Sequence, residues 1–119
     1  MLFRSPHLGA ITEKSRAQDS VAMARLLHGD AVVDQHCVIM GNVNTNSPLL
    51  VDKVVTDAAD VYCGAGQGLI VVPFILSGAM GPVTTAAAIA QALAEAMLVG
   101  AYTQLVRKGA PFILGNFLS

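Results

Sequence analysis

Charge is scarce in this chain. Only 13% of its 119 residues are Asp, Glu, Lys or Arg, against roughly 25% in an average soluble domain, while 54% are hydrophobic. Seven basic and eight acidic residues leave a formal net charge of −1. That balance argues against a nucleic-acid footprint or a basic membrane-facing surface, so partners are not selected by bulk charge. Cysteine is almost missing: Cys37 and Cys63 show neither metal-ligand spacing nor a disulfide framework, which makes a reduced, cytoplasmic protein with no bound metal the expectation. Met1–Leu8 carries Arg4 but lacks the apolar run of a secretory leader. One long apolar run exists, Ala86–Tyr102, and it is mostly alanine with Gln91 and Glu95 near its middle. A carboxylate at mid-membrane depth costs about 2.5–3.5 kcal/mol, so no membrane span is expected.

What is there alternates. Thr12–His28 reads as a first helix, with Thr12 as cap, Ala17, Val21, Ala24 and Leu27 at the helical period, and Gly29 as terminator. His36–Val43 is a short apolar run entering the turn-rich Asn44–Pro48, as a buried strand would. Ser47 then caps, and Pro48 opens, a second helix closed by Gly64-Ala65-Gly66. Leu69–Leu76 is continuously apolar like a parallel strand covered on both faces, although Pro73 cannot donate to a ladder. A third helix follows over Thr85–Lys108, with Arg107 and Lys108 at its negative end and Gly109 beyond, and Pro111–Gly115 forms a last strand.

Helix, strand, helix, strand, helix, strand predicts one α/β domain with a parallel sheet. A strand-to-strand spacing of about 30 to 40 residues matches a (β/α)8 TIM barrel, of which this would be a part. Sites in such folds lie at the carboxyl ends of strands. This singles out Asn42–Ser47, Ser77–Thr84 and Gly115–Ser119. The first offers Asn42, Asn44, Asn46 and Ser47 as hydrogen-bonding groups, or as plain turn and cap residues. The second, with Ser77, Gly78, Met80 and Thr84, allows close backbone approach to a carboxylate or phosphate, or forms a structural turn. It is neither a P-loop nor a dinucleotide fingerprint, and Gly64–Gly68 precedes a strand, the wrong context for dinucleotide binding. The third contributes Asn116 and Phe117. His7, His28, His36, Cys37 and Cys63 assemble no catalytic constellation, so the catalytic residues stay unknown. Gln91 and Glu95 share one helix face, read as solvated or turned to a neighbouring barrel helix.

A wider set of residues carries a resemblance. Asn44-Thr45-Asn46-Ser47-Pro48-Leu49, Gln67, Pro73-Phe74-Ile75-Leu76, Gly78-Ala79-Met80-Gly81-Pro82-Val83-Thr84, Gln91, Glu95, Gln104 and Gly109-Ala110-Pro111…Gly115 resemble the central part of the trimethylamine methyltransferase family, which includes trimethylamine and glycine betaine:corrinoid methyltransferases. Arg16-Ala17-Gln18-Asp19-Ser20…Ala24-Arg25…Gly29 is similar to the helix preceding that part. The resemblance implies a barrel of several hundred residues that passes a methyl group from a methylated amine to the Co(I) corrinoid of a separate protein. No cofactor is then bound directly, and the full-length form would be a homo-oligomer. The resemblance implies that a methylated amine binds at the carboxyl ends of the strands, which makes the strand-end residues Asn44, Asn46, Ser47, Ser77, Gly78, Met80, Thr84, Asn116 and Phe117 the expected substrate-binding positions, with aromatic faces attracting a quaternary ammonium and the Ser77–Thr84 amides expected to hold a betaine carboxylate.

The pattern departs from the family by omission. The early barrel strands and all that follows Ser119 have no counterpart here, including the late loops with the family's reactive position. An incomplete barrel is therefore expected, with Pro111–Gly115 as an apolar sheet edge and little activity in isolation. Two rivals remain: a non-catalytic remnant or assembly module that completes a barrel by association, and another barrel enzyme binding a carboxylate or phosphate at Ser77–Thr84.

Overall fold

The structure, a computed structural model, describes residues 7–119. Residues 1–6, most of the stretch read above for a leader, lie outside the described residues. The elements in order are β1 (His7–Ala10), α1 (Lys14–His28), α2 (Asp30–Gln35), β2 (Ile39–Val43), α3 (Lys53–Gly64), β3 (Gly68–Val71), β4 (Phe74–Ile75), α4 (Thr85–Val106), β5 (Phe112–Leu114) and β6 (Phe117–Leu118). Strands alternate with helices as expected, and every ladder between named strands is parallel.

The main sheet runs β1-β2-β3-β5, so the chain adds strands in one direction without a switch point. The helices accordingly gather on one face. Ile39, Val43, Leu69 and Val71 meet Ala17 and Val21 of α1, Val55, Ala58, Tyr62 and Cys63 of α3, and Ala96 and Val99 of α4 in two core clusters. The alternate positions Asn42, Ile70 and Ile113, paired in register, belong to the opposite face, as the period-two geometry of a strand requires. Tyr62 lies fully buried against β1 and β2 because Gly9 and Gly41, opposite each other in the ladder, leave room: a Cβ on Gly9 would come within 2.7 Å of its hydroxyl.

Several boundaries differ from those read in the sequence. The first helix starts at Lys14 after Glu13, and Thr12 does not cap it, whereas Gly29 ends it in a left-handed conformation that glycine adopts without a Cβ clash. The second helix begins at Lys53, not Pro48. Asn46 and Leu50 instead form a bridge around a tight turn, so Ser47 caps nothing. The run Leu69–Leu76 divides at Pro73, which has no N–H for the ladder: β3 stops at Val71, and β4 resumes at Phe74. Its partner divides in step, since β5 pairs with β3 and β6 with β4 at the same offset. Strand β1, helix α2 and strand β6 were not anticipated.

The helix α4 is the one described helix long and apolar enough to cross a membrane. Here one face of it packs on α3, β3 and β5 and buries a hydrogen-bonded carboxylate, while Ile89, Leu93 and Met97 stay exposed on another.

A second buried polar side chain holds the amino-terminal end of the sheet together. Gln67, fully buried, accepts from the amides of Val38 (2.8 Å) and Ile39 (3.2 Å) and donates to the carbonyls of Val33 (2.8 Å) and His36 (3.2 Å). One amide thus joins α2 and β2 to the segment entering β3. We predict that Gln67→Leu, which leaves these backbone groups unpaired in the interior, destabilises the chain by about 3 kcal/mol in a urea titration, whereas Gln104→Leu costs no more than about 1 kcal/mol.

Candidate functional site

The carboxyl ends of the strands open onto a common rim. After β2 comes the turn 46–50, and after β4 the turn 77–81; each is closed by a bridge between its first and last residues, Asn46–Leu50 and Ser77–Gly81. Each leads within a few residues to a helix, α3 or α4. The third rim segment is not a loop. Phe117 and Leu118 form β6, and the Ser77 amide donates to the Ser119 carbonyl at 2.8 Å.

Glu95 ties the first two turns together. This residue was read as part of a solvated or helix-facing surface, but its exposure is 2%. One carboxylate oxygen accepts from the Thr45 hydroxyl (2.6 Å) and the Ser47 hydroxyl (2.8 Å), the other from the Leu49 amide (2.8 Å) and from Gln91 Nε2 (3.1 Å). Gln91 Nε2 also donates to the Met80 carbonyl at 3.2 Å, which reaches the second turn. The i,i+4 spacing in α4 sets the two side chains one turn apart, so one spans from the 45–49 loop and the other to the 77–81 loop. Gly81 permits this, because a Cβ there would crowd Ile75 at 2.8 Å and Gln91 at 3.2 Å. Leu49 sits at φ 56, a conformation unfavourable for a side chain, and it is held there with its amide on Glu95.

Burial opposes the charged form of Glu95, yet the hydrogen bonds from Thr45, Leu49, Ser47 and Gln91 outweigh it and hold the carboxyl below its ordinary value. The group is therefore an anion whose bonds all come from uncharged donors.

The positions expected from the sequence distribute unevenly. Ser47 joins the Glu95 network, and Asn46 Nδ2 donates to Asp52 Oδ2. Asn44 is exposed and lines a cavity of about 360 Å³ with Ala10, Thr12, Asn42, Val43 and Asp52, beyond the ends of β1 and β2. The buried Oδ1 of Asn42 beside that cavity has no hydrogen-bond partner. Ser77, Gly78 and Thr84 are exposed, and Met80 contributes its carbonyl to Gln91. The amides of Ser77, Gly78, Ala79 and Met80 already donate to the carbonyls of Ser119, Gly81 and Leu76, which leaves the first turn of α4 as the source of free amides on this side. Asn116 is exposed between β5 and β6. Phe117 stacks on Phe74 with ring centroids 4.9 Å apart and an interplanar angle of 18°, a pair set by their register in β4 and β6.

Thr45, Asp52, Phe74, Gln91 and Glu95 were not among the expected site residues. The signal for Glu95 was present: a lone acid in an alanine-rich helix needs partners if that helix is buried. No group of His, Cys, Asp and Glu suited to a metal occurs among the described residues, and burial raises the thiols of Cys37 and Cys63, the latter to about 11.

Because the folded-state value of Glu95 is depressed, its contribution to stability is fully present above the ordinary carboxylate range and is lost as pH falls through the folded value. We predict that Glu95→Gln is less stable than the parent by about 2 kcal/mol near pH 7, and that denaturant titrations show the gap shrinking as pH falls below the ordinary carboxylate range.

Comparison with known proteins identifies the family of the chain. The family model described as trimethylamine methyltransferase (MTTB) matches residues 4–119. A protein named glycine betaine methyltransferase from Desulfitobacterium hafniense (strain Y51) is 30% identical over 110 residues, covering 92% of this chain and 23% of that protein. The chain thus spans about a quarter of that relative's length. With the family model matched along almost all of it, the chain belongs to the trimethylamine methyltransferase family.

Proposed function

We propose that this chain forms part of a (β/α)8 barrel that transfers a methyl group from a methylated amine, either trimethylamine or a quaternary amine such as glycine betaine, to the Co(I) corrinoid of a partner protein. Family membership over residues 4–119 carries this reading. The geometry is consistent with it. A sheet that grows in one direction with its helices on one face supports the reading, since an arc of such a barrel has the same arrangement. At the strand ends the turn bearing Ser47 is joined to the turn bearing Met80 through Glu95 and Gln91, while Asn44 lines the cavity beyond β1 and β2.

In the reaction a quaternary ammonium would give up its methyl carbon to the Co(I) acceptor, the carbon–nitrogen bond breaking with its electron pair left on the departing neutral amine, whereas trimethylamine would first take a proton on nitrogen so that it departs as dimethylamine. The corrinoid is a co-substrate supplied by the partner and is not bound directly by this chain. The residues here hold and aim the amine, which is the greater part of catalysis for an in-line displacement. The stacked Phe74 and Phe117 offer aromatic faces for an ammonium, and the amides of the first turn of α4 can take a betaine carboxylate. A reduced cytoplasm suits both Co(I) and the two free thiols.

One observation favours a second reading, in which the chain works by association. Strand β5 is an edge with Ile113 and Leu114 exposed, and α4 exposes Ile89, Leu93 and Met97 at four-residue spacing. Such surfaces call for more strands and helices, whether from the same polypeptide or another copy. Size-exclusion chromatography with light scattering separates a monomer from a closed assembly.

We predict that the 119-residue chain alone transfers no methyl group from trimethylamine or glycine betaine to a reduced corrinoid protein, followed by cobalt absorbance. A longer polypeptide that supplies the remaining strands does transfer it, and Ser47→Ala together with Asn46→Ala lowers its rate by about tenfold or more. Sustained turnover by the short chain would contradict the open-sheet reading, and an inactive longer polypeptide would contradict the assignment of the reaction.

A further inference from the structure

The rim is poor in cations. The loops 43–52, 72–84 and 115–119 contain a single charged side chain, Asp52, and the 22 residues of α4 contain a single one, Glu95. At the same end of the sheet the first turns of α1 and α3 bring Lys14, Arg16 and Lys53. Arg16 is paired with Glu13 at 3.4 Å, and Lys53 with Asp57 at 2.6 Å, which leaves the exposed Lys14 as one cation against Asp52 and Glu95. Glu95 appears in no ion pair among the described residues. Its four partners, two hydroxyls, one backbone amide and one carboxamide, are dipoles that stabilise the charge without cancelling it. At 2% exposure the carboxylate is also sheltered from solvent screening. Thr45, Ser47 and Leu49, which touch it, belong to the loop that bounds the rim, and Asp52 adds a second negative charge beside the 360 Å³ cavity.

We propose that Glu95 is the specificity-determining residue of this rim: its uncompensated charge, held in place by the loop 45–49 and by Gln91, makes the rim favour a cationic ligand of the tetraalkylammonium class over a neutral ligand of the same shape. The choice of ligand rests on the methylated-amine reading, but the electrostatic assignment follows from the hydrogen-bond network itself. The loop 43–52 that supplies three donors to Glu95 also supplies Val43, Asn44 and Asp52 to the wall of the 360 Å³ cavity, and a fixed negative charge behind that low-dielectric wall favours a tetraalkylammonium there, which has no N–H to donate and gains from charge. The arrangement also explains why a carboxylate is kept buried in a helix otherwise free of charge. A neutral glutamine could close the same loop in part but would not set the sign of the field.

Choline and neohexyl alcohol differ in charge but scarcely in shape, and they provide the test. Amide shifts of Thr45, Leu49, Met80 and Gly81 in the 119-residue chain report the binding of each. We expect the parent chain to prefer choline, and Glu95→Gln to lose about five- to tenfold more in choline affinity than in affinity for the neutral alcohol, with added salt narrowing the difference only in part because the carboxylate is buried. Equal losses for both ligands would assign Glu95 a purely geometric role, and no loss for either would remove it from the site; both overturn the proposal.

A second measurement on the parent chain keeps the test independent of how the variant folds. Paramagnetic relaxation at the Leu49 and Met80 amides is compared between an amino-substituted, cationic nitroxide and its neutral hydroxy analogue at low salt. Stronger relaxation by the cation that persists in Asp52→Asn supports the assignment, and equal relaxation, or a preference lost with Asp52, overturns it. A preference for the cationic nitroxide without choline binding would refute the methylated-amine reading while leaving the field of Glu95 standing.

Discussion

The rim depends on one carboxylate. Taking Glu95 out of water is unfavourable by several kcal/mol unless its lone pairs are satisfied, and the protein satisfies them with groups drawn from a segment about 46 to 50 positions away in sequence and from the same helix. Because each donor is needed to keep the anion buried, the loop 45–49 has little freedom to move away from α4. Gln91 extends the constraint to the Met80 carbonyl, so the turns after β2 and after β4 are joined through a single helix. A network of this kind is costly when partly made, and this favours an arrangement in which all its members are present together.

The sheet and its helices supply the platform. Strands added in one direction place every helix on one face, where small residues such as Ala58, Ala59, Ala92 and Ala96 let α3 and α4 approach each other and the strands closely. That packing brings Glu95 to the carboxyl end of the strands. The opposite end is locked by Gln67, which closes backbone groups of α2 and β2 that no ladder reaches. Two buried side chains with amide or carboxylate ends thus do at the two ends of the sheet what the apolar core cannot, which is to fix the direction of irregular backbone.

Much of the fold was legible because it rests on local pattern. The helical period of Ala17, Val21 and Ala24, the terminating Gly29, and the apolar runs at Ile39–Val43 and Gly68–Val71 are written into neighbouring residues. Pro73 announced a break in its strand for the same reason. Boundaries that depend on distant partners were misread: Ser47-Pro48 has the composition of a helix start, but the Ser47 hydroxyl is claimed by Glu95, and the helix waits until Lys53. The short strands β1 and β6 exist only as partners of β2 and β4, so nothing in their own four and two residues marks them.

The site divides along the same line. The sequence alone determined that strand ends alternate with helix starts, that Asn44–Ser47 and Ser77–Thr84 stand at such ends, and that the motifs resemble one family, since all of these are properties of adjacent residues. Only the tertiary structure decided that Glu95 faces inward, that Thr45 and Gln91 join it, that the Ser77–Met80 amides are already engaged, and that Phe74 lies on Phe117. The reason is physical: a helix bearing one acid among alanines has no periodicity strong enough to say which face is buried, and the hydrogen bonds that settle the matter form only when α4 is laid across the sheet.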